Sequence, residues 1–471
     1  MLALEGAFMI PALIISIVLD ETASAIAFAE VIGICLVIGA AGIILKADFS
    51  KVYAKEGYVT VALAWILLSL IGALPFTLSG SIPHYIDAVF ECISGFTTTG
   101  ASILKNVEAL PRSMLYWRSF THWLGGMGVL VFILAIMPLN PGSGTSLHIL
   151  RAESPGPSVG KFVPKMRSNA RILYGIYVAM TVLMAVILII FRMPVFDAVC
   201  ITFGTAGTGG FGILADSCAS YTSAQQIIIT VFMILFGINF SMYFLMLIGN
   251  IKAVFRDEET MTYLGIIAVS TLVIMFNIRG FYSNWGEALK DSAFQVGSII
   301  TTSGFATTDF NKWPELSKTI LITLMFIGAS AGSTGGGLKV SRILILLKSS
   351  RLAVKKMIHP QAVKHVRISG KTVDADTVSG VSIYISVYCI IFALSLFVIS
   401  FDNFDFVTNF TAVAATINNI GPGLGGVGPT GNFASYSYIS KLVLSADMLI
   451  GRLELFPMLL LFSPATWRRA V

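Results

Sequence analysis

Residues 93–102, with the sequence ISGFTTTGAS, lie between two long apolar runs of the chain. Their glycine, serine and threonine residues are poor helix formers. A non-helical segment in contact with lipid would leave backbone N–H and C=O groups without hydrogen-bond partners. The segment must therefore be covered by protein or line a water-filled path.

The composition of the chain is that of an integral membrane protein. Of its 471 residues, 56% are hydrophobic and 12% are charged, whereas about a quarter of the residues of a soluble domain are charged. An apolar run of about 20 residues can cross the hydrocarbon core of a bilayer. We predict ten such spans, at 2–19, 26–45, 58–79, 113–138, 170–192, 225–249, 261–278, 318–346, 378–400 and 437–463.

Most of the Lys and Arg residues lie in every second loop between these spans, at 46–55, 151–171, 252–256 and 339–371, and in the C-terminal tail. The positive-inside rule places these loops and both termini in the cytoplasm. Membrane topology accounts for the basic stretch 348–371 more simply than nucleic-acid binding does. We therefore expect the lipid bilayer as a partner and no nucleic acid.

Nothing in the sequence predicts catalysis. The five cysteines and five histidines have no metal-ligand spacing, and no nucleophile–base pair is recognisable. Residues 207–212, GTGGFG, match a dinucleotide-binding pattern but follow no predicted strand. Residues 332–341, GSTGGGLKVS, differ by one residue from a phosphate-binding loop, and no nucleotide-hydrolysing domain surrounds them. We expect no enzyme activity and no covalently bound cofactor.

The unusual composition of residues 93–102 recurs three more times. The copies are DAVFECISGFTTTGAS (87–102), FDAVCITFGTAGTGGFG (196–212), DSAFQVGSIITTSGFATTDF (291–310) and FTAVAATINNIGPGLGGVGP (410–429). Each has a short apolar run followed by a stretch rich in Gly, Thr, Ser or Asn, and each lies between two predicted spans. Aligned on one glycine, the copies share Gly100, Gly209, Gly304 and Gly421.

The apolar run of each copy is too short to cross the bilayer and suits a half-helix that enters and leaves on one side. Four non-helical return segments around one axis would present rings of backbone carbonyl oxygens. Such rings can replace the hydration shell of a monovalent cation, and glycine allows the positive φ that aims the oxygens inward. Small residues also serve close helix packing, but four copies in register favour the ring.

The sequence resembles the TrkH/Trk–Ktr–HKT superfamily of cation transport proteins from about residue 58 to residue 468. The resemblance rests on SGFTTTGAS (94–102), HWLGGMGVLVF (122–132), GASAGSTGGGLKVSR (328–342), NNIGPGLGGVGP (418–429) and GRLELFPMLLLFSPATWR (451–468). It implies an all-α polytopic membrane protein with four helix–pore-helix–helix repeats around one central pore, plus two extra N-terminal helices. It also implies a homodimer in the plasma (inner) membrane of a prokaryote, regulated by cytosolic nucleotide-binding (TrkA-like) subunits.

The resemblance divides the chain into five parts and assigns a K⁺-binding site to it. The parts are an N-terminal two-helix unit at 1–57 and pore repeats at 58–140, 141–250, 251–350 and 351–471, the second and fourth including a cytoplasmic loop. Backbone carbonyls alone would bind K⁺ in a selectivity filter made of Thr97, Thr98, Thr99, Gly100, Gly207, Thr208, Gly209, Thr301, Thr302, Ser303, Gly304, Asn418, Asn419, Ile420 and Gly421. Relatives that pass Na⁺ often have serine at the first filter glycine, so glycine at all four positions favours K⁺.

A gate is expected below the filter. The run 332–337, GSTGGG, interrupts the eighth predicted span, and each interior glycine costs a helix about 1 kcal/mol. We expect a flexible loop made of Gly332, Ser333, Thr334, Gly335, Gly336 and Gly337, with Lys339 beside it; close helix packing is the alternative. Arg452 at bilayer depth costs about 2.5–3.5 kcal/mol. It is expected to project into the pore, or else to pair with a carboxylate of another helix.

Two transport mechanisms stay open at this point. One is K⁺-selective, channel-like uptake, and the other is ion-coupled (Na⁺ or H⁺) secondary transport of K⁺ with alternating access. Four equivalent segments favour the first, because rocking transporters usually have two related halves. Carboxylates are expected at the pore mouth, where they would concentrate cations or simply be solvated; they are Asp87, Glu91, Asp197, Asp216, Asp291 and Asp309.

Overall fold

The computed structural model describes residues 1–44, 54–126, 128, 166–360 and 365–467. Its regular structure is almost entirely helical, which confirms the predicted all-α class. In chain order the α-helices are α1 (Leu2–Val18), α2 (Thr22–Ile44), α3 (Ala54–Gly72), α4 (Leu74–Leu78), α5 (Tyr85–Phe96), α6 (Arg112–Gly126), α7 (Met166–Ile190), α8 (Val195–Ala206), α9 (Ser223–Phe236), α10 (Phe240–Leu247), α11 (Ile251–Arg256), α12 (Glu258–Ile278), α13 (Trp285–Ile300), α14 (Glu315–Ile327), α15 (Val340–Ile358), α16 (Ala375–Ile399), α17 (Phe406–Ile417), α18 (Tyr438–Leu453), α19 (Phe456–Phe462) and α20 (Pro464–Trp467).

A small hairpin interrupts the helices between α15 and α16. Strands β1 (Arg367–Ile368) and β2 (Lys371–Thr372) pair antiparallel, with Ile368 opposite Lys371. Ser369 and Gly370 form the two-residue turn, with φ of +49° and +77°. Positive φ at both central positions is the geometry of a tight hairpin turn. We call these two residues the hairpin tip.

Five stretches of the described residues are long and apolar enough to cross a membrane: Thr22–Gly42, Glu56–Leu78, Arg171–Ile190, Glu258–Phe281 and Ala375–Asp402. Many of their large apolar side chains are exposed in the isolated chain. Exposed apolar surface on this scale is stable where lipid covers it. The chain is therefore a multi-pass membrane protein, as its composition predicts.

Within the described residues, three of the predicted spans are interrupted by a sharp bend or a non-helical segment. Span 225–249 is bent by 91° between α9 and α10. Span 318–346 is broken into α14 and α15, and span 437–463 into α18 and α19. The first two breaks begin at Gly237 and Gly328, and Gly328 has a φ of +73° that ends a right-handed helix. Counting apolar residues does not detect such breaks, because both halves are apolar.

Some predicted features fall outside the described residues. Of span 113–138, the structure describes α6 as far as Gly126, and then Gly128. The boundary predicted between residues 140 and 141 lies outside as well. The same holds for most of the basic loop 151–171 and for the basic tail at Arg468 and Arg469.

The short helices α5, α8, α13 and α17 are largely buried. Each packs between the two longer helices that flank it in sequence. Each also contacts the second flanking helix of another copy: α8 contacts α6, α13 contacts α9, α17 contacts α14, and α5 contacts α18. The last of these contacts joins the C-terminal copy to the first, so the four copies close into a ring. Helices α1 and α2 pack on each other, with α1 against α6 and α2 against α4.

Candidate functional site

All four short helices end in the same backbone motif. The third residue after each helix donates its N–H to the carbonyl five residues earlier, as Thr99 does to Ser94 (2.9 Å) and Ser303 to Ser298 (2.8 Å). The second residue after each helix has a left-handed φ of 54° to 60°: these are Thr98, Thr208, Thr302 and Asn419. This pattern is the Schellman motif, in which glycine is the usual left-handed residue. A β-branched threonine in that conformation is an outlier, and backbone strain of this kind clusters at functional sites.

A second left-handed residue follows two positions later. It is a glycine in every copy, with φ between 78° and 94°: Gly100, Gly210, Gly304 and Gly421. The four residues that begin after each helix therefore form one equivalent unit. We call these units quartets 1 to 4; they are residues 97–100, 207–210, 301–304 and 418–421.

This geometry corrects the alignment of the second copy. The sequence comparison takes Gly209 as the shared glycine, but Gly209 has no positive φ and the equivalent residue is Gly210. Helix α8 ends at Ala206, so its quartet begins at Gly207 and ends at Gly210. The two glycines are adjacent and chemically identical, and the sequence alone does not distinguish which of them ends the quartet.

The four quartets lie side by side around one opening. A methyl carbon built on Gly100 would lie 2.1 Å from the carbonyl oxygen of Gly209. The same carbon on Gly210 would lie 1.8 Å from the Ser303 oxygen. On Gly304 it would lie 2.0 Å from the Ile420 oxygen, and on Gly421 it would lie 2.7 Å from the Thr99 oxygen. Each quartet thus touches the third carbonyl of the next one, and the fourth quartet returns to the first.

The hydrogen bonds leave the quartet carbonyls available. The first three N–H groups of each quartet donate back into the preceding short helix. Among the described residues, the only quartet carbonyl that accepts a hydrogen bond is that of Gly207, from the Thr208 hydroxyl (2.6 Å). Buried backbone carbonyls normally have a partner. Buried oxygens without protein donors, arranged around an opening, can take the place of water around a cation.

Hydrogen bonds between side chains link residues within and between the quartets. The Thr97 and Thr99 hydroxyls lie 2.8 Å apart, and those of Thr301 and Ser303 lie 2.9 Å apart. Asn419 donates to the Thr99 hydroxyl (2.9 Å), which links quartet 4 to quartet 1. These contacts hold four quartet hydroxyls and the Asn419 amide against one another.

Outside the ring lies a cavity of about 120 Å³ that all four quartet glycines line, together with Lys105 and Arg118. None of the residues that line it, within the part of the chain that the structure describes, is an Asp or Glu. Two of the six carboxylates expected at the mouth are instead paired with cations. Glu91 is buried in an ion pair with Arg118 (2.6 Å), and Asp87 pairs with Lys441 (2.6 Å).

The Glu91–Arg118 pair is a feature that the sequence analysis missed. Glu91 also accepts hydrogen bonds from Ser102 and from the Ile103 N–H (3.0 Å). Arg118 donates to the Gly212 carbonyl (2.8 Å) and lies 3.5 Å above the Phe211 ring. The pair thereby joins the segments that follow quartets 1 and 2. The signal was available, since a charged residue inside an apolar span needs a partner or a function.

The predicted gate residues form a non-helical segment between α14 and α15. We call residues 328–339 the gate loop. A methyl carbon on Gly335 would lie 2.9 Å from the Thr301 carbonyl oxygen, and one on Gly336 would lie 2.6 Å from the Asn418 oxygen. The Gly336 N–H donates to the Thr302 hydroxyl (2.6 Å). The loop therefore lies against the inner ends of quartets 3 and 4.

The start of the gate loop lies elsewhere. The Gly332 carbonyl accepts from the N–H of Phe240, at the bend between α9 and α10 (3.0 Å). The Ser333 hydroxyl donates to the Ser330 carbonyl (2.7 Å), and the Thr334 hydroxyl donates to the Phe236 carbonyl (3.2 Å). Of the six residues predicted for the flexible loop of the gate, the described contacts thus bring Gly335 and Gly336 against the quartets.

Two cations hold the gate loop. Lys339 donates to the Gly335 carbonyl. Arg452 donates to the Thr334 carbonyl (2.8 Å) and to the Gly126 carbonyl at the end of α6 (2.9 Å). Arg452 thus joins the gate loop to the end of α6. The nearby carboxylate of Glu454 is paired with Arg342, as expected from its different helix face.

The known proteins to which this chain is similar are cation and potassium transport proteins. The model of the TrkH family, described as a cation transport protein, matches residues 25–280 and 282–469. The chain is 37% identical to the Trk system potassium uptake protein TrkH of Salmonella typhimurium over 477 residues, which cover 98% of this chain and 96% of that protein. It is 31% identical to the Trk system potassium uptake protein TrkG of Escherichia coli over 466 residues, 98% of this chain and 95% of that one. The crystal structure of the potassium transporter TrkH from Vibrio parahaemolyticus matches with a TM-score of 0.89 and 32% identity, over 99% of this chain and 97% of that chain.

Proposed function

The chain belongs to the TrkH family of cation transport proteins, and we propose that it carries out K⁺ uptake through a channel-like pore in a bacterial inner membrane. The family match confirms the resemblance stated from the motifs, and it confirms a transport protein rather than an enzyme. K⁺ is the proposed cargo because the relatives are named as potassium uptake proteins.

The closed ring of quartets is the observation that carries the proposal. Thr99, Gly209, Ser303 and Ile420 each offer a carbonyl oxygen next to the glycine of the neighbouring quartet. Oxygens arranged in this way can replace the water around a K⁺ ion one layer at a time. We assign K⁺ binding to the backbone carbonyls of the four quartets, now with Gly210 included.

The gate loop supplies the control in this proposal. It lies against the inner ends of quartets 3 and 4, and hydrogen bonds from Arg452 and Lys339 hold it there. A glycine-rich segment has several accessible backbone conformations. We propose that the loop blocks the inner end of the pore and that it moves aside when the pore conducts.

The remaining parts of the proposal follow the family and the charge distribution. We propose that both termini and the hairpin between β1 and β2 face the cytoplasm, because the basic loops do so under the positive-inside rule. We also propose a homodimer that binds cytosolic nucleotide-binding (TrkA-like) subunits, since the relatives are components of a Trk system.

Flux through purified protein in liposomes tests the proposed function. We expect K⁺ flux down its own gradient, with no requirement for Na⁺ or a pH gradient, and at least tenfold slower flux of Na⁺. The measurement compares K⁺ and Na⁺ release with each ion present alone and with a protonophore added. Flux that stops without a co-transported ion would replace the channel by a coupled transporter.

Substitution of Arg452 is expected to raise K⁺ flux. Arg452→Ala removes the hydrogen bonds to the Thr334 and Gly126 carbonyls and the positive charge below the ring, so we expect at least a fivefold increase. Arg452→Lys keeps the charge but not the planar set of donors, and should give a smaller increase. Arg351→Ala, on the exposed face of α15, is the control and should leave flux unchanged. An unchanged rate for Arg452→Ala would show that the residue only stabilises the fold.

A further inference from the structure

One buried carboxylate holds both ends of the gate loop. Glu259, the second residue of α12, is 9% exposed. Its Oε1 accepts a hydrogen bond from the Ala331 N–H (2.7 Å), just before the run 332–337. The same oxygen accepts from the Ser341 N–H (3.2 Å), just after the loop ends. Because one oxygen accepts from both N–H groups, one side chain fixes the separation of the two ends of the loop.

The two residues before Glu259 hold the hairpin tip. The Ser369 hydroxyl donates to the Asp257 carboxylate (3.1 Å) and accepts from the Glu258 N–H (3.0 Å). The Ser369 N–H donates to the Glu258 carboxylate (3.1 Å). The start of α12 therefore makes two sets of contacts. Asp257 and Glu258 bind the hairpin tip, and Glu259 binds the gate loop.

A third contact ties the helix that follows the gate loop to the same point. Lys348, on α15, pairs with Glu258 and donates to the Arg367 carbonyl in β1 (2.7 Å). The hairpin, the start of α12 and α15 thus form one polar cluster. Any displacement of the hairpin acts on Glu258, one residue away from the carboxylate that holds the loop. A chain of contacts of this kind can carry coupling between two sites if it biases a two-state element.

We propose that Glu259 is the positioning residue of the gate loop and that the hairpin tip acts on the gate through the first turn of α12. This inference rests on the proposed gate. Glu259 touches no quartet residue in the described contacts; it acts on the pore only through the loop. The hairpin tip then gives the cytoplasmic side of the protein a mechanical connection to a loop buried in the membrane.

The test measures K⁺ flux and the accessibility of the loop in the same proteins. Ser333→Cys, in a Cys389→Ser background, provides one reactive thiol, because the other four cysteines are buried. We expect Glu259→Ala to raise basal K⁺ flux at least fivefold and to raise the rate of thiol modification at least tenfold. Glu259→Gln keeps an oxygen that can accept both hydrogen bonds and should restore both values to within about twofold. A role in folding alone would not return loop accessibility in this way.

Two further comparisons separate this inference from the proposed function. Ser369→Ala should raise thiol modification at least threefold, whereas Lys371→Ala, exposed on the same hairpin, should not; equal rates would overturn the role of the hairpin tip. A protein that lacks residues 332–337 should gain no further flux from Glu259→Ala. If that deletion raises flux while Glu259→Ala changes neither flux nor thiol modification, the inference about Glu259 is wrong and the gate stands. If the deletion itself leaves flux unchanged, the proposed gate is wrong.

Discussion

Gly210→Ala is expected to reduce K⁺ flux at least a hundredfold. The methyl group would lie 1.8 Å from the Ser303 carbonyl oxygen, far inside van der Waals contact. The left-handed φ of +79° also costs an alanine about 1–2 kcal/mol. Relief of the clash must move the third carbonyl of quartet 3, which is one of the proposed K⁺ ligands. Flux measured in liposomes, with the amount of folded protein set by size-exclusion chromatography, gives the result.

The control for this prediction is Gly426→Ala, in the segment that lines the outside of the ring. Gly426 has no positive φ, and a methyl carbon there meets no atom closer than 3.4 Å, which is ordinary contact. Flux should stay within about twofold of the unsubstituted protein. If Gly210→Ala conducts as well as Gly426→Ala, then quartet 2 does not line the path of the ion.

The position of the ring was predictable from the sequence, but its register was not. Four short apolar runs followed by Gly and Thr are enough to predict re-entrant segments, because lipid forbids uncovered non-helical backbone. The exact quartet depends on where each short helix ends. In the first, third and fourth copies the residue before the aligned glycine is Thr99, Ser303 and Ile420, respectively. Because none of these is a glycine, the sequence identifies the last residue of the quartet without ambiguity. In the second copy Gly209 precedes Gly210, and only the backbone φ separates them.

The contacts that surround the ring were less predictable. Sequence analysis identified Arg452 as a charged residue at bilayer depth and Lys339 as a residue beside the gate loop. Both donate to backbone carbonyls of the loop, Arg452 to that of Thr334 and Lys339 to that of Gly335. A carbonyl leaves no signature in a sequence, since every residue has one. The same limit applies to Glu259, whose partners are the N–H groups of Ala331 and Ser341.

The ion pairs of Asp87 and Glu91 were hard to predict for a related reason. A carboxylate that the sequence places in an outward loop can still form an ion pair with a cation from another helix. Asp87 and Lys441 are far apart in the chain and yet form a close ion pair. With Glu91 also paired with Arg118, neither of these two carboxylates is a free negative charge at the outer side of the ring.

The left-handed threonines connect the fold to the site. Thr98, Thr208 and Thr302 occupy the position where a Schellman motif normally has glycine. Each left-handed non-glycine residue costs of order 1–3 kcal/mol, so the packing around the ring must hold it in place. The Thr302 side chain also makes a favourable contact, because its hydroxyl accepts a hydrogen bond from the Gly336 N–H of the gate loop. Glycine there would relax the backbone but remove this contact between ring and loop.

Deletion of residues 332–337 is expected to leave the pore open, with basal K⁺ flux raised at least twentyfold. The deletion removes Gly335 and Gly336, which lie against the Thr301 and Asn418 carbonyls. It also removes the Thr334 carbonyl to which Arg452 donates. Without these contacts, the proposed gate loop no longer blocks the inner end of the ring. K⁺ release from liposomes, in the absence of any added subunit, measures the change.

A leak through damaged protein would give the same first result, and a second substitution separates the two cases. Gly210→Ala lies in the ring, not in the gate loop, so adding it to the deletion should abolish the flux if the ions pass between the quartets. A leak around the protein would persist, because position 210 has no part in it. If the deletion product is folded by size and thermal melting but conducts no more than the intact chain, the loop does not obstruct the pore. In that case the hydrogen bonds donated by Arg452 and those accepted by Glu259 serve the packing of α14 and α15 alone.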